Sequence, residues 1–345
     1  MSGRLRISGK GTARARRALA ALLAVPLLLG SAPLPAVSDS AIMAEAFPRT
    51  LSEFGFFAGS PDRPVAALRP YDLRTPLFTD YADKRRFIYM PAGTEARVSG
   101  DGLIEWPVGT AIIKSFGYPQ ADGSYRTIET RLLLRRAAGW VALPYIWRAD
   151  GSDADLRIAG GRQPVSFTTP SGRAMTISYA VPNRNQCKTC HETSGEVTPI
   201  GPRLRNMDMA PQHRPAIAGA DWTLAVLPRW DDRAQPVASR ARAYLDVNCA
   251  HCHNPRGSAS NSGLFLEYER PPSMTTGLMK RPVAAGRGSG GFDYAIDPGH
   301  PERSIMLYRL RSLDPGIAMP ELGRATVHEE GAALLDQWIA GMEQR

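Results

Sequence analysis

The chain has 345 residues and a formal net charge of +9, and 43% of its residues are hydrophobic. Six Lys and Arg residues and no acidic residue lie in residues 1–36, so removing that segment from a charge of +9 leaves about +3. A remainder of about 300 residues is long enough for two domains. Its small excess of positive charge argues against nucleic acid as a partner.

A basic segment followed by an apolar run opens the chain. Arg16 and Arg17 precede the apolar run 18–30, and small residues ending in Leu34-Pro35-Ala36 follow. This order is typical of a secretory signal peptide, so residues 1–36 are predicted to direct export to the periplasm. The run is short and contains Pro26, and no later stretch is apolar enough to cross a bilayer, so no membrane span is predicted in the mature chain. A retained N-terminal anchor stays open.

Residues 47–185 are predicted to form a β-rich domain. Short runs rich in apolar, β-branched and aromatic residues alternate with turns, and Asp122-Gly123 and Asp150-Gly151 lie where the chain must reverse. The expected strands are 86–90, 103–106, 111–118, 127–135, 140–147, 165–168 and 175–180. This half should be an antiparallel sheet with few helices.

Two short motifs contain all four cysteines of the chain. They read Cys187-Lys188-Thr189-Cys190-His191 and Cys249-Ala250-His251-Cys252-His253. The Cys-x-x-Cys-His spacing is typical of covalent c-type haem attachment. The two thiols form thioethers with the porphyrin, and the adjacent imidazole, His191 or His253, reaches the iron. Two covalently attached haems are therefore predicted, with residues 186–235 as the first haem-binding segment.

Zinc and disulfides are the alternatives to haem. Four cysteines of an exported chain can form two disulfides, and repeated Cys-x-x-Cys pairs can bind tetrahedral zinc. Neither alternative requires a histidine immediately after both pairs. The repeated histidine favours haem.

Helical patterns surround the second motif. Residues 236–252 carry Val237, Ala241 and Leu245 at helical spacing. Near the end of the chain, Thr326 and Glu329 form a capping-box pattern. The apolar face expected after it consists of Leu334, Leu335, Trp338, Ile339 and Met342.

Residues 236–345 resemble a class I cytochrome c domain. The likeness rests on residues 241–245 before the second motif, Pro301-Glu302-Arg303-Ser304-Ile305, and Met319-Pro320 before the last helix. Together with the strand patterns of the first half, it predicts a fold class of α+β, in which an antiparallel β-sheet domain precedes a mainly α-helical cytochrome c-like domain. It also implies that Met319 is the distal ligand of the second iron, with His253 proximal. Met274, Met279 and Met306 are the other methionines downstream.

The longer pattern resembles an uncharacterised family of bacterial diheme c-type cytochromes. The matching segments are Pro70-Tyr71-Asp72-Leu73, Thr75-Pro76-Leu77-Phe78, residues 106–110 and Glu129-Thr130-Arg131. The likeness implies haem as the cofactor, but it says little about the biological function. His/Met ligation closes both axial positions and favours electron transfer.

The first haem has a proximal ligand, His191, but several candidates for the sixth position. Gly201-Pro202 resembles the class I segment whose proline carbonyl accepts a hydrogen bond from the proximal imidazole. The sixth ligand could be Met207, Met209, Met175, His213 or nothing. Lys114 distantly resembles the lysine of β-sheet cytochromes related to cytochrome c-prime, but a solvated strand lysine is the expectation for it. His251 and His300 are expected at the surface or in hydrogen bonds.

Two functions from different classes follow. The favoured one is a periplasmic electron carrier whose partners are a periplasmic redox protein or a dehydrogenase or reductase. The alternative is a diheme peroxidase or oxidase with an open first haem. A third reading is a binding or sensory module built on the β domain. The sequence contains no Ser-His-Asp order and no phosphate loop that would indicate hydrolytic or phosphoryl chemistry.

Overall fold

The computed structural model of the chain describes residues 36–99, 102–120, 122–223, 226–284 and 286–343. The predicted signal peptide lies outside these ranges apart from Ala36. Within them, no helix is both long and apolar enough to cross a bilayer.

Most strands lie between residues 69 and 181, as the sequence predicts. The described strands are β1 (Arg69–Leu73), β2 (Asp83–Tyr89), β3 (Ala96–Val98), β4 (Ile104–Glu105), β5 (Ala111–Pro119), β6 (Tyr125–Arg136), β7 (Gly139–Trp147), β8 (Ala154–Leu156), β9 (Gly161–Thr168), β10 (Ala174–Val181), β11 (Glu192–Thr193), β12 (Glu196–Val197), β13 (Met207–Asp208) and β14 (Ile217–Ala218). Every predicted strand overlaps one of them.

Seven strands form one antiparallel sheet in the order β13-β1-β2-β5-β6-β7-β8. Smaller sheets pair β9 with β10 and β11 with β12, and a third has the order β14-β3-β4. Gly123 and Gly151 have φ angles of +81° and +69° at the predicted turns. Glycine is favoured there because other residues rarely adopt positive φ.

One face of the large sheet packs on the segment that precedes it. Side chains alternate between the two faces of a strand, and Ile113, Leu132 and Tyr145 share this face. Tyr145 contacts Phe54 edge-on, with ring centroids 5.9 Å apart. Its hydroxyl also donates to the carbonyl oxygen of Pro48 at 2.8 Å. This side of the sheet is therefore a buried, mainly apolar core.

The opposite face carries two apolar clusters with polar residues between them. Phe116 belongs to a cluster that β9 and β10 cover, and Ile112 belongs to another that includes residues of β3, β4 and β13. Lys114 lies between these two residues on β5, on the same face. The middle of this face is therefore charged, and it faces the rest of the chain.

Five described helices complete the fold. They are α1 (Asp39–Met43), α2 (Arg184–His191), α3 (Val237–Asn248), α4 (Ile305–Arg311) and α5 (Glu329–Ala340). The face predicted for α5 is buried at Leu334, Leu335, Trp338 and Ile339. Close packing of α3 on α5 needs Gly331, because a Cβ there would lie 2.4 Å from the hydroxyl oxygen of Tyr244.

The predicted fold class, α+β with a mainly α-helical cytochrome c-like domain in the second half, is wrong. The described chain is β-rich, and α3, α4 and α5 are separated by long irregular segments with short 3-10 turns. Gly263 and Gly277 have φ angles of +60° and +111°, which no helix accommodates. The resemblance predicted helical structure for a segment whose glycines and prolines prevent helix formation.

The predicted capping box at the start of α5 is also absent. His328 occupies the N-cap position and makes no capping hydrogen bond with its side chain. The hydroxyl of Thr326 instead donates to Oδ1 of Asp80 at 2.9 Å, and the backbone N–H groups of Ala325 and Thr326 donate to the same oxygen. The side chain of Thr326 therefore bonds a buried carboxylate far away in sequence instead of capping α5.

Further polar contacts join the sheet region to the C-terminal helices. The side-chain oxygen of Asn248 accepts from the backbone N–H of Phe78 at 2.8 Å, and Arg205 pairs with Asp246 of α3 at 2.8 Å. The described residues from 36 onward belong to one compact unit. The charged face of the sheet can therefore form a site together with α2 and α3.

Candidate functional site

The first motif lies on α2. The side chain of Asn183 caps this helix by accepting a hydrogen bond from the backbone N–H of Gln186. The side chain of Gln186 in turn accepts from the backbone N–H of Asn183. Cys187, Cys190 and His191 stand three and four positions apart, so they share one face of the helix. The cap thus holds two thiols and one imidazole on a single surface.

A backbone carbonyl orients His191. Its Nδ1 lies 3.2 Å from the carbonyl oxygen of Thr198, which places the ring hydrogen on Nδ1 and leaves the Nε2 lone pair available. The resemblance assigned this acceptor to the proline of Gly201-Pro202, and the structure places Thr198 there instead. Burial, with Lys114 second, lowers the pKa of His191 to about 3, so the imidazole is neutral as an iron ligand requires.

The second motif lies in the turn after α3. Cys249 follows the last helical residue, and the backbone N–H of His253 donates to its carbonyl oxygen at 2.9 Å. His253 is 8% exposed, and its Nδ1 lies 3.2 Å from the hydroxyl oxygen of Ser262. That hydroxyl donates to the carbonyl of Ala259, so it accepts from Nδ1 and leaves Nε2 available, as at the first motif.

The two motifs meet. Ligand atoms of Cys190, His251 and Cys252 all lie within 4.8 Å of one another. A hydrogen bond between the two thiols lowers the pKa of Cys252 and raises that of Cys190. Ser194, just beyond the first motif, also donates its backbone N–H to the carbonyl of Arg256, just beyond the second, at 3.4 Å. Two segments far apart in sequence thus form one centre.

His251 lies inside this centre rather than at the surface. It is partly buried, and its Nδ1 is buried without a hydrogen-bond partner among the described residues. Its position beside two thiols supports the zinc alternative, because two sulfurs and one imidazole are ligands that Zn²⁺ accepts. All four cysteines are free thiols, so the disulfide alternative is not the arrangement seen.

A large cavity opens beside the first motif. Its volume is about 1280 Å³, above the ~300–1000 Å³ typical of small-ligand pockets. The charged sheet face, α2, the end of α3 and the segment 198–209 line it. Ten Lys and Arg residues and five Asp and Glu residues contribute to its wall, which favours an anionic occupant.

The residues present fit covalently bound haem. Each motif supplies two free thiols and one neutral, oriented imidazole with an available Nε2. The cavity beside Cys187 and His191 is bulky and partly apolar, as a porphyrin requires. Its excess of positive charge also suits a ligand that carries carboxylates.

The predicted sixth ligands differ in position. Met207 and Met209 line the cavity, although both are also buried in the apolar cluster of Ile112. Met175 packs on the other apolar cluster, and His213 lies in a short 3-10 turn; neither is part of the cavity wall. Two of the four predicted side chains, Met207 and Met209, thus line the cavity that lies beside the first motif.

Met319 lies in the loop between α4 and α5, where its backbone is hydrogen-bonded to Arg309. Its backbone N–H donates to the carbonyl oxygen of Arg309 at 3.1 Å, and Nε of the same arginine donates to the carbonyl of Ile317 at 2.8 Å. Burial lowers the pKa of His253, and the charge of Arg309 contributes to that shift. Met319 as the distal ligand stays a prediction.

Lys114 is not the solvated strand lysine that was expected. It lines the cavity, and burial, followed by Arg131 and Arg86, lowers its pKa to about 7. Two arginines line the cavity with it: Arg86, which the sequence analysis did not name, and Arg131, which it named only within the matching segment Glu129-Thr130-Arg131. The alternation of β5 contains the missing signal, because Lys114 stands between Ile112 and Phe116, which both point inward.

His328 gives the region a pH dependence. It is 8% exposed, stacks on Phe78 with centroids 4.2 Å apart, and its Nδ1 lies 3.0 Å from the hydroxyl of Tyr244. Burial lowers its pKa to about 4; Glu330 opposes and Lys84 reinforces this shift. The folded protein therefore holds the neutral ring.

The free energy of unfolding is expected to fall by about 3 kcal/mol between about pH 6.5 and about pH 4 because of His328. The unfolded chain takes up the proton first, so the stabilisation is complete above pH 6.5 and is lost as pH falls through the folded pKa. Urea unfolding of wild type, His328→Gln and the control His300→Gln at several pH values measures it. An identical pH profile for His328→Gln and wild type would refute this assignment.

Comparison with known proteins finds no relative. No protein-family model matches the chain, no curated protein matches it, and no solved structure matches it. The site's own chemistry is therefore the basis for any functional conclusion.

Proposed function

We propose that this chain is a periplasmic diheme c-type cytochrome that passes electrons between redox partners. The observation that carries the proposal is the contact between the motifs, where Cys190 and Cys252 lie within 4.8 Å of each other. A bound haem supplies a one-electron couple, in which a reduced partner gives the electron and an oxidised partner takes it. The signal peptide that the sequence predicts in residues 1–36 supports the periplasm as the compartment.

The chain's own residues hold and tune such a pair. Cys187 and Cys190 would anchor one haem, Cys249 and Cys252 the other. Thr198 and Ser262 fix the rings of His191 and His253 and direct each Nε2 away from its hydrogen-bonded side. Burial keeps both imidazoles neutral. These features favour two stable, oriented centres, which electron transfer requires.

A diheme peroxidase or oxidase is the second candidate, and the cavity favours it. A volume of about 1280 Å³ beside His191 leaves room for a small molecule, and Lys114 provides a polar group within it. Chemistry at iron needs an open axial position and a distal pocket that controls it. The two candidates therefore differ at the first motif.

Ligand binding by the purified holoprotein separates them. As an electron carrier, the reduced protein should bind no carbon monoxide and both irons should be low-spin in the paramagnetic spectrum. Binding of one equivalent of carbon monoxide at the first haem, with sustained turnover of peroxide, would replace the carrier by the enzyme. A purified chain with zinc and no haem would exclude both.

Met319→Leu with Met306→Leu as its matched control tests the second centre. Loss of the thioether ligand should lower the potential of the second haem and open an axial position there, because Met ligation raises the potential. Met306 packs in the same apolar cluster as α3 to α5 and should leave the spectrum unchanged. A changed spectrum in the control alone would move the ligand away from Met319.

A further inference from the structure

Three cations form a row across the middle of the large sheet. Arg86 of β2 lies directly opposite Lys114 of β5, and Lys114 lies directly opposite Arg131 of β6. Side chains in register on neighbouring antiparallel strands share a face and are close neighbours, and like charges placed so are destabilising. Such a row needs compensation by negative charge.

The protein compensates only part of the row. Arg86 pairs with Asp72 at 2.6 Å, and Arg131 pairs with the fully buried Glu129 at 2.5 Å. Among the described residues, Lys114 has no carboxylate partner, and its ammonium lies 5.0 Å from the ring centroid of Phe116. At the centre of the row, the amine of Lys114, whose pKa is lowered to about 7, is left without a paired carboxylate.

Arg86 shows a second deficit. Its side chain is 4% exposed, and Nε is buried without a hydrogen-bond partner among the described residues. A buried guanidinium N–H without an acceptor costs free energy, since charged groups gain most from hydrogen bonds. Nη1 of this arginine bonds Asp72 and the carbonyl of Lys84, so Nε is the buried donor that these bonds leave unsatisfied.

The row lies in the wall of the cavity. Arg86, Lys114 and Arg131 all line it, as do Cys187 and His191 of the first motif. Apolar clusters lie on either side along the strands, so the row is a charged strip between two apolar surfaces. This combination suits an occupant that has an apolar body and a carboxylate edge.

We propose that Arg86, Lys114 and Arg131 form a carboxylate-binding site in this cavity. A planar guanidinium and an ammonium side by side match two carboxylate oxygens. Two sources have this chemistry: a propionate of the first haem, which rests on the proposed function, or a free organic carboxylate. The ligand's negative charge would favour the protonated form of Lys114 and serve as the counter-ion that this side chain lacks.

Lys114→Gln is the principal variant, with Lys114→Arg as the charge-keeping partner. Lys84→Gln is the matched control, because Lys84 lies on the same face but its ammonium already donates to the carbonyl of Ala82 at 2.9 Å. Circular dichroism shows whether each variant folds. If Lys114→Gln fails to fold, Arg86→Lys, which keeps the charge but loses the bidentate fork, replaces it in both measurements below.

The first measurement concerns the holoprotein and the propionate source. Resonance Raman bands of the haem propionates should shift in Lys114→Gln, return towards wild type in Lys114→Arg, and be unchanged in Lys84→Gln. Mass spectrometry of the denatured protein gives the haem count for each variant in the same preparation. A failure of the proposed function thus shows as missing haem and is distinct from a failure of this site.

The second measurement titrates succinate by calorimetry into holoprotein and into Cys187→Ala/Cys190→Ala. If a propionate occupies the site, succinate should bind only the double variant; if the ligand is a free carboxylate, it should bind the holoprotein as well. Adding Lys114→Gln should weaken succinate at least about tenfold, the size expected from one charge-assisted hydrogen bond. Unchanged propionate bands together with no Lys114-dependent binding of succinate would overturn the proposal.

Discussion

Replacing Glu129 with alanine is expected to lower the free energy of unfolding by about 3–5 kcal/mol. This carboxylate is 0% exposed and accepts from Arg131 through Nε at 2.9 Å and Nη2 at 2.5 Å. The hydroxyl of Tyr179 also donates to it at 2.6 Å. Its removal leaves a guanidinium and a phenol without an acceptor and adds an unbalanced charge to the cationic row. Urea unfolding at neutral pH measures the loss.

Asp336→Ala is the matched control for this ion pair. Asp336 pairs with Arg311 at 2.5 Å, but the two side chains are 38% and 46% exposed, so water screens the charges. Such pairs contribute about 1 kcal/mol or less. Equal losses in the two variants would mean that the buried pair has no special weight, and the charge balance of the row would need another explanation.

The large sheet could be predicted because its strands have a simple pattern. Residues 111–118 and 140–147 alternate or run apolar between Asp-Gly turns, and one face buries its side chains against Phe54 and its neighbours. The same alternation places Lys114 inward. The sequence analysis expected Lys114 to be solvated because lysines in strands usually are, and it gave too little weight to the apolar residues on either side.

The second half could be predicted only in part. The periodic segments α3 and α5 form where apolar residues recur at helical spacing, because burying that face stabilises a helix. The chain between them is irregular, because positive φ at Gly263 and Gly277 is incompatible with an α-helix. The sequence prediction of a mainly helical domain did not take these glycines into account. The hydrogen bond from Thr326 to Asp80 also could not be predicted, because it joins residues that are far apart in sequence.

The contact between the two motifs is a product of tertiary structure. Each motif is visible as a pentapeptide, but its spacing says nothing about the other's position. α2 packs against β7, and α3 is attached to segments beside the sheet through Asp246 with Arg205 and through Asn248 with Phe78. This packing accompanies the meeting of Cys190 and Cys252. This arrangement also places His251 at the junction, which is why it was missed as a member of the site.

Replacing both cysteines of one motif with alanine is expected to remove one haem and leave the other. Cys187→Ala/Cys190→Ala should lose the first, and Cys249→Ala/Cys252→Ala the second, because each motif attaches its haem through its own two thiols. Mass spectrometry of the denatured protein should fall from two haems to one in both variants. Optical spectra then assign each signal to its motif.

The same variants separate haem from zinc, because the three-ligand cluster draws on both motifs. A zinc site built from Cys190, His251 and Cys252 would be lost in either double variant, so metal content would fall from one to none in each. His251→Ala completes the comparison: it should keep two haems, since this residue belongs to no attachment position, whereas it should release a zinc ion that depends on its imidazole. Retention of two haems by either double variant would refute the attachment sites.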